Sequence, residues 1–387
     1  MLPMLGRSRE AEPLLKEAIQ LSIKIDGDPN ISLARFYAYI GQAQQDLTEF
    51  AAADESLRKA LDAARKLNGE DHVDTLETEL RLGAFLIATS RTAEGLEHTA
   101  RAKDILLRTH RDDDPFFAPQ AYLEYGRGLA NVGRWEEGLG YVEKAVENRR
   151  KNRPGTRYLA QMLYLQAYIL IDMGRYSEAS RLIDEADVIA KKTNYPTPYM
   201  AADERARLLI ATGRSGEADA ALDAFHPPPP VQGTLELDSL RVQVSRAENA
   251  LARGDAENAR RLAAQVLQEL SNSAARDYLK WLEARAALVQ GLANLQLGHP
   301  SDALPLLQRA VELRQSMLDA TSPLLALARI GLANCYLDLG ESDKAQALSD
   351  AAAKAIVSHH EIGNQYLKPL KDLQARLRRG SSSHRAG

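Results

Sequence analysis

Two small residues twelve places apart bracket a turn residue, and the trio recurs along the whole chain. The turn position reads Gly6, Thr48, Ser90, Gly133, Gly174, Gly213, Gly254, Gly298 and Gly340, at intervals of 39 to 44 residues. Five places after it stand Ala11, Ala53, Gly95, Gly138, Ala179, Ala218, Ala259, Ala303 and Ala345. Seven places before it stand Gly41, Gly83, Gly126, Ala167, Ala206, Ala247, Gly291 and Ala333. Helices approach closely where side chains are nearly absent, so each trio marks the crossing of an antiparallel helix pair around a tight turn. A period of this length belongs to repeat arrays, in which one unit cannot bury its own apolar face and relies on its neighbours.

The flanking apolar residues agree. Ala11, Leu14, Leu15 and Ala18 keep the i, i+3, i+4, i+7 spacing of an amphipathic helix, as do Leu33, Phe36, Tyr37 and Ile40. No useful length alternates with period two, so strands are not required. Asp114-Pro115 and Ser322-Pro323 each predict a capping side chain ahead of a proline in the first helical position.

On these residues the chain resembles the tetratricopeptide repeat family, in its long-period variety found in kinesin light chains and many bacterial signalling proteins. The turns Gly133-Arg134-Trp135-Glu136-Glu137 and Gly174-Arg175-Tyr176-Ser177-Glu178-Ala179 follow the family pattern closely. A second Ala, seven places after the first, appears at Ala18, Ala60, Ala102, Ala145, Ala186, Ala310 and Ala352. Phe225 and Val266 depart from it. The resemblance implies an all-α fold, a right-handed superhelical α-solenoid of antiparallel helix pairs.

The phase of the register divides the chain into a partial repeat with a second helix only (1–27), five units (28–226), a proline loop (227–233), three units (234–360), a capping helix (361–379) and a disordered tail (380–387). The first unit lacks its first helix, which would leave Leu14, Leu15 and Ile19 partly uncovered. Upstream residues or another chain are therefore expected to cover that end. His226 and the four prolines after it stop the helix that starts at Ser215 near Phe225 and favour extended geometry, as a stiff loop or a hinge.

Little in the chain points to chemistry. The net charge is −4 with both signs interspersed, which lacks the footprint of phosphate-backbone binding. The single Cys335 excludes an internal disulfide and fits a buried thiol in a reducing compartment. No apolar run approaches a membrane span, and the N-terminus is too short in apolar residues for a signal peptide, so a cytoplasmic location is the expectation. His359 and His360, read on a helix, diverge by about 100°, whereas a helical metal pair needs i, i+4 spacing. Asp112-Asp113-Asp114 lacks the alternating ligands of a calcium loop. No phosphate loop or nucleophile elbow is present. No catalytic residue, metal or cofactor is expected, and no nucleic acid or membrane partner.

Binding is the class that remains. In the family, residues ten and six places before the turn face a concave groove lined by first helices, and that correspondence nominates Arg127, Tyr164, Tyr168, Asp203, Arg207 and Glu248 as a peptide-binding set. Arg and Tyr are enriched in binding hot spots. The alternative for Tyr164 and Tyr168 is packing between adjacent first helices, and for Asp203 with Arg207 an i, i+4 surface pair. The family's clamp for terminal carboxylates is not met at these places. The expected function is a non-catalytic scaffold for a protein or peptide segment; the alternative is the regulatory or sensory region of a larger bacterial Ser/Thr kinase or transcription regulator.

Overall fold

The computed structural model of the chain describes residues 8–28, 30–193, 199–227, 229 and 233–383. Within them lie eighteen α-helices, one short 3₁₀ turn and no strand. The array is an all-α solenoid. It divides into two compact units, one of residues 1–129, 140–153 and 229–235, the other of residues 130–139, 154–228 and 236–387, with the changes at 129/130 and 139/140 falling inside helices.

The first unit begins with α1 (Ser8–Asp26), then the pairs α2 (Ile31–Asp46) with α3 (Phe50–Asn68) and α4 (Val73–Ala88) with α5 (Thr92–Arg108), and most of α6 (Phe117–Val132) and α7 (Trp135–Asn152). The second holds the pairs α8 (Arg157–Asp172) with α9 (Tyr176–Lys192), α10 (Tyr199–Ala211) with α11 (Ser215–Asp223), α12 (Leu237–Ala252) with α13 (Ala256–Ser271), α14 (Lys280–Gln296) with α15 (Pro300–Met317) and α16 (Pro323–Asp338) with α17 (Ser342–Val357), then α18 (Asn364–Ser383).

The turns explain the period. Thr48, Ser90, Gly133, Gly174, Gly213, Gly254, Gly298 and Gly340 all have positive φ, between 58° and 99°. At the Thr48, Ser90, Gly174, Gly213, Gly254, Gly298 and Gly340 turns, the next residue's N–H reaches back to the carbonyl four places before the turn residue, as in Arg175 N to Leu170 O (2.8 Å) and Glu341 N to Tyr336 O (2.8 Å). A left-handed residue closed by this bond satisfies carbonyls that the helix end would otherwise orphan. Glycine adopts that conformation without cost; Thr48 and Ser90 adopt it despite a Cβ. Gly6 lies outside the described residues.

The small pairs are the crossings. A Cβ on Gly41 would lie 2.8 Å from Leu57 Cγ, and one on Gly291 would lie 2.6 Å from Leu307 Cγ. Ala53, Ala167, Ala179, Ala206, Ala218, Ala247, Ala259, Ala303, Ala333 and Ala345 have no exposed surface. Between pairs, aliphatic clusters such as Leu288, Leu307, Ala328 and Leu332 join α14, α15 and α16 into one core.

Several local expectations need correction. Asp114 does cap α6, its carboxylate accepting from Phe116 N and Phe117 N at 2.8 and 2.9 Å, but Pro115 precedes the helix and is not its first residue. Pro323 does open α16, yet the Ser322 side chain makes no cap hydrogen bond; its hydroxyl is buried without a partner. Ile19 is buried against Leu33 and Ile40, because α1 packs on α2 through that face, while Leu14, Leu21 and Ile25 are exposed. His359 and His360 lie beyond the end of α17, so the helical geometry assumed for them does not apply. The helix ending the chain's described part runs through Ser383. Residues 384–387, Pro228 and residues 230–232 of the proline stretch lie outside the described residues. Among the described residues no helix is long and apolar enough to cross a membrane.

Candidate functional site

In the second unit, three successive first helices turn charged side chains toward one another. Helical spacing sets the stage: Tyr164, Tyr168 and Asp172 lie at i, i+4 and i+8 on α8, Asp203 and Arg207 at i, i+4 on α10, and Ser245 and Glu248 at i, i+3 on α12. Arg207 stands with its guanidinium 4.3 Å from the Tyr168 ring centroid. It donates to Asp172 Oδ1 at 2.9 Å and to Glu204 Oε2 at 3.1 Å. Cation and ring attract through the ring's quadrupole, and burial strengthens the contact.

Arg285, from α14, completes the arrangement. It grips both oxygens of Glu248, with Nε to Oε1 and Nη2 to Oε2 at 2.6 Å each. Nη2 also reaches Ser245 Oγ at 3.0 Å and Asp203 Oδ1 at 3.3 Å. Ser245 in turn donates to Asp203 through a short hydrogen bond. Four of the six nominated residues therefore meet: Tyr168, Asp203, Arg207 and Glu248. Arg285 escaped the sequence reading because it lies three places before the position used for the register; its signal was the cation on the same helical stripe as Leu288.

The other two are elsewhere. Tyr164 is fully buried and donates its hydroxyl to Asp187 Oδ1 at 2.6 Å, bracing α8 against α9, so the packing alternative describes it. Arg127 belongs to the first unit, where it pairs with Glu124 one turn away and donates to Ala84 O at 3.4 Å. Asp203 and Arg207 do not pair with each other as a surface couple. Arg207 prefers Asp172 and Glu204, which are the more buried acids.

The electrostatics follow from burial. Glu204 is pushed up to about 8, chiefly by loss of water and then by Asp203 and Asp172, against the pull of Arg207. Burial also tends to raise Asp203, but Arg285, Arg207 and the Ser245 hydroxyl overcome it and hold the carboxyl below its ordinary value. The Tyr168 phenol is raised, first by burial and then by Asp172. Yet the network is not sealed: side-chain exposure is 17% for Arg207, 18% for Arg285 and 29% for Glu248, enough for a ligand atom to touch each.

One end of the network is covered by the C-terminal segment of the same unit. Tyr366 of α18 donates to Asp172 Oδ1 at 3.0 Å, and Gly363 N donates to Asp172 O at 2.8 Å. Tyr176 OH donates to Gln365 Oε1 at 2.7 Å and accepts from Asn364 N at 3.1 Å. Trp135 is buried with ring centroids of His359 and Tyr366 at 5.2 and 5.4 Å. Gly174 meets Gly363 so closely that a Cβ would lie 3.1 Å from its Cα. None of this clasp was legible from the repeat register, because it joins turns nearly two hundred residues apart in sequence, as the |i−j| of 189 between Tyr176 and Gln365 shows.

Residues 33–74 match the tetratricopeptide repeat family. No curated protein sequence matches the chain. Among solved structures, a Rap protein complexed with Competence and Sporulation Factor is similar at 16% identity with a TM-score of 0.57, covering 79% of this chain and 85% of that one. The apo form of the quorum sensor NprR from B. thuringiensis is similar at 13% identity with a TM-score of 0.51, covering 90% of this chain and 98% of that one. A putative kinesin light chain from Podosopora anserina is similar at 19% identity over 50% of this chain and 91% of that one, with a TM-score of 0.41.

Proposed function

We propose that this chain, a tetratricopeptide-repeat solenoid by its repeat match and its fold, is a non-catalytic scaffold that seats a peptide or protein segment on the inner face of its second unit. The observation that carries this reading is the convergence of side chains from four successive first helices into two adjoining clusters, Arg207 with Tyr168, Asp172 and Glu204, and Arg285 with Glu248, Ser245 and Asp203, which keep solvent access. Buried ion pairs are costly to assemble and are weak evidence of stability alone. Aimed at a concave face, they offer alternating donors and acceptors to an extended backbone, and repeat arrays use such faces for binding.

Two of the solved structures similar in fold are a Rap protein complexed with Competence and Sporulation Factor and a quorum sensor. At their low identity they speak to fold alone, but they are consistent with a regulatory role as part of a larger signalling protein. A cytoplasmic setting fits that role.

Affinity selection from peptide and metabolite libraries, followed by titration of the selected peptide, tests the proposal. Glu248→Ala and Arg207→Ala are expected to weaken binding tenfold or more, with helical circular dichroism unchanged. Selection of small molecules and no peptide would sink it.

A further inference from the structure

Residues of α11, α12 and α13 in the second unit line an open cleft of about 240 Å³. Three guanidiniums contribute to it, those of Arg246 on α12, Arg253 at the C-terminal cap of α12 and Arg261 on α13. Arg246 and Arg253 are seven residues apart, close to two helical turns, so both lie on one side of α12. Between them the cleft is lined by Ala250, whose side chain is too short to fill the space. None of these residues belongs to the clusters around Arg207 and Arg285.

The arginines are held in place but keep free donors. Arg246 donates from Nη1 to Asp223 Oδ1 at 2.6 Å and from Nη2 to the Leu222 carbonyl at 3.0 Å. Arg253 pairs through Nη1 with Asp219, whose other oxygen accepts from Asn249 Nδ2 at 2.7 Å. Arg261 pairs with no carboxylate among the described residues; its Nη2 donates to Asn258 Oδ1 at 2.7 Å. The Nε groups of all three arginines, and Nη2 of Arg253, have no partner among the described residues. Exposed ion pairs contribute little to stability. Here they orient Arg246 and Arg253 at the cleft while those side chains stay 34% and 50% exposed, within reach of a ligand.

The lining offers more donors than acceptors. Its two carboxylates are Asp219, with both oxygens already accepting, and Asp255, which caps α13 by accepting from Asn258 N at 3.3 Å. Such a surplus selects an anion over a cation. Guanidiniums placed at three points on two helices suit oxygens arranged in three dimensions, as in phosphate, better than the planar pair of a carboxylate. The volume falls below the ~300–1,000 Å³ of sites for drug-sized ligands, which restricts the ligand to a phosphate carrying at most a small organic group.

We propose that this cleft binds the phosphate group of a small molecule, with Arg261 as its main contact and Arg246 and Arg253 completing the cradle. The site shares no residue with the inner-face clusters and does not rest on the peptide-binding reading.

Isothermal titration of the full chain tests it, with inorganic phosphate and phenyl phosphate as probes and malonate as the carboxylate comparison, at matched ionic strength and a pH where all three are dianions. A Kd of about 1 mM or tighter is expected for at least one phosphate probe. Arg261→Met and Arg253→Met should each weaken that binding tenfold or more, because each removes charge-assisted hydrogen bonds. Arg260→Met, which removes an exposed cation paired with Glu257 outside the cleft, should leave it unchanged. Arg261→Met breaks no ion pair, so its unfolding midpoint without phosphate should match wild type. Tighter binding of phenyl phosphate assigns an organic phosphomonoester and tighter binding of inorganic phosphate assigns the free ion; either supports the site. Absence of saturable binding by both phosphates overturns it. So do equal affinity for malonate, binding undiminished in both cleft variants, or an equal loss in Arg260→Met. Each of these failures leaves the peptide-binding reading standing.

Discussion

Gly83 and Gly95 face each other across the crossing of α4 and α5. A Cβ on Gly95 would lie 2.8 Å from the Gly83 carbonyl oxygen, and one on Gly83 would lie 3.1 Å from that of Gly95. Side chains lie nearest, Thr99 Cγ2 to Gly83 and Ile87 Cγ1 to Gly95 at 2.7 Å each, but backbone also obstructs both sides and cannot rotate away as a side chain can.

Gly95→Ala is therefore expected to destabilise the protein by about 1–3 kcal/mol through overpacking. Gly140→Ala, also inside a helix but with no atom within 4 Å of the new Cβ, should instead stabilise by about 0.5–1 kcal/mol. Urea denaturation of the two variants measures both. Changes of the same sign and similar size in the two variants would show that proximity at the crossing is not what selects small residues.

Thr48 and Ser90 hold the left-handed turn conformation at φ 58° and 66° where the other described turns have glycine. Thr48→Gly relieves a Cβ cost of about 1–2 kcal/mol, offset by glycine's larger unfolded-state entropy and by loss of the hydrogen bond that Thr48 Oγ1 accepts from Leu235 N at 3.1 Å, so a net change within about 1 kcal/mol is expected. Thermal unfolding midpoints measure it; a gain well above that would contradict the role of the hydroxyl.

Glu204 makes stability fall as pH rises. Its carboxyl titrates at about 8 in the folded protein against an ordinary 4.5. Between those values the folded state holds a proton that the unfolded chain has lost, so unfolding is favoured increasingly with pH. The contribution is fully present below about 4.5 and is lost as pH passes through about 8. Glu204→Gln should flatten the dependence of the midpoint on pH across this window and raise stability at pH 8 relative to wild type. An unchanged slope would rule Glu204 out as its source.

Tyr176→Phe removes a hydroxyl that both donates to Gln365 and accepts from Asn364 N. Each hydrogen bond contributes about 0.5–1.5 kcal/mol net. The expected result is a loss of about 1–2 kcal/mol together with faster amide exchange at the start of α18 than at α12. Uniform acceleration throughout the second unit would mean that the clasp does not open separately.

The repeat architecture was legible in the sequence because it depends on local requirements repeated many times. A left-handed turn wants Gly, a crossing wants Gly or Ala, and each leaves a residue at a fixed place. Even the exceptions, Thr48 and Ser90, were locatable by register, since the hydrogen bonding of the turn is unchanged there. The candidate site was legible only in part. Tyr168, Asp203, Arg207 and Glu248 sit at positions that successive first helices place alike, whereas Tyr164 shares that register and is rotated into the α8–α9 contact.

What the sequence determined by itself was the helix-pair unit, its turn and its close crossing, because those are set by sterics within about forty residues. Tertiary structure decided which charged groups share a carboxylate, which guanidinium is left without one, and which turn the C-terminal segment covers. Those outcomes depend on small rotations accumulated over several repeats. No single repeat encodes that sum, so Arg285, the Arg261 cleft and the Trp135–Tyr366 contact emerge only when the helices of the second unit are stacked.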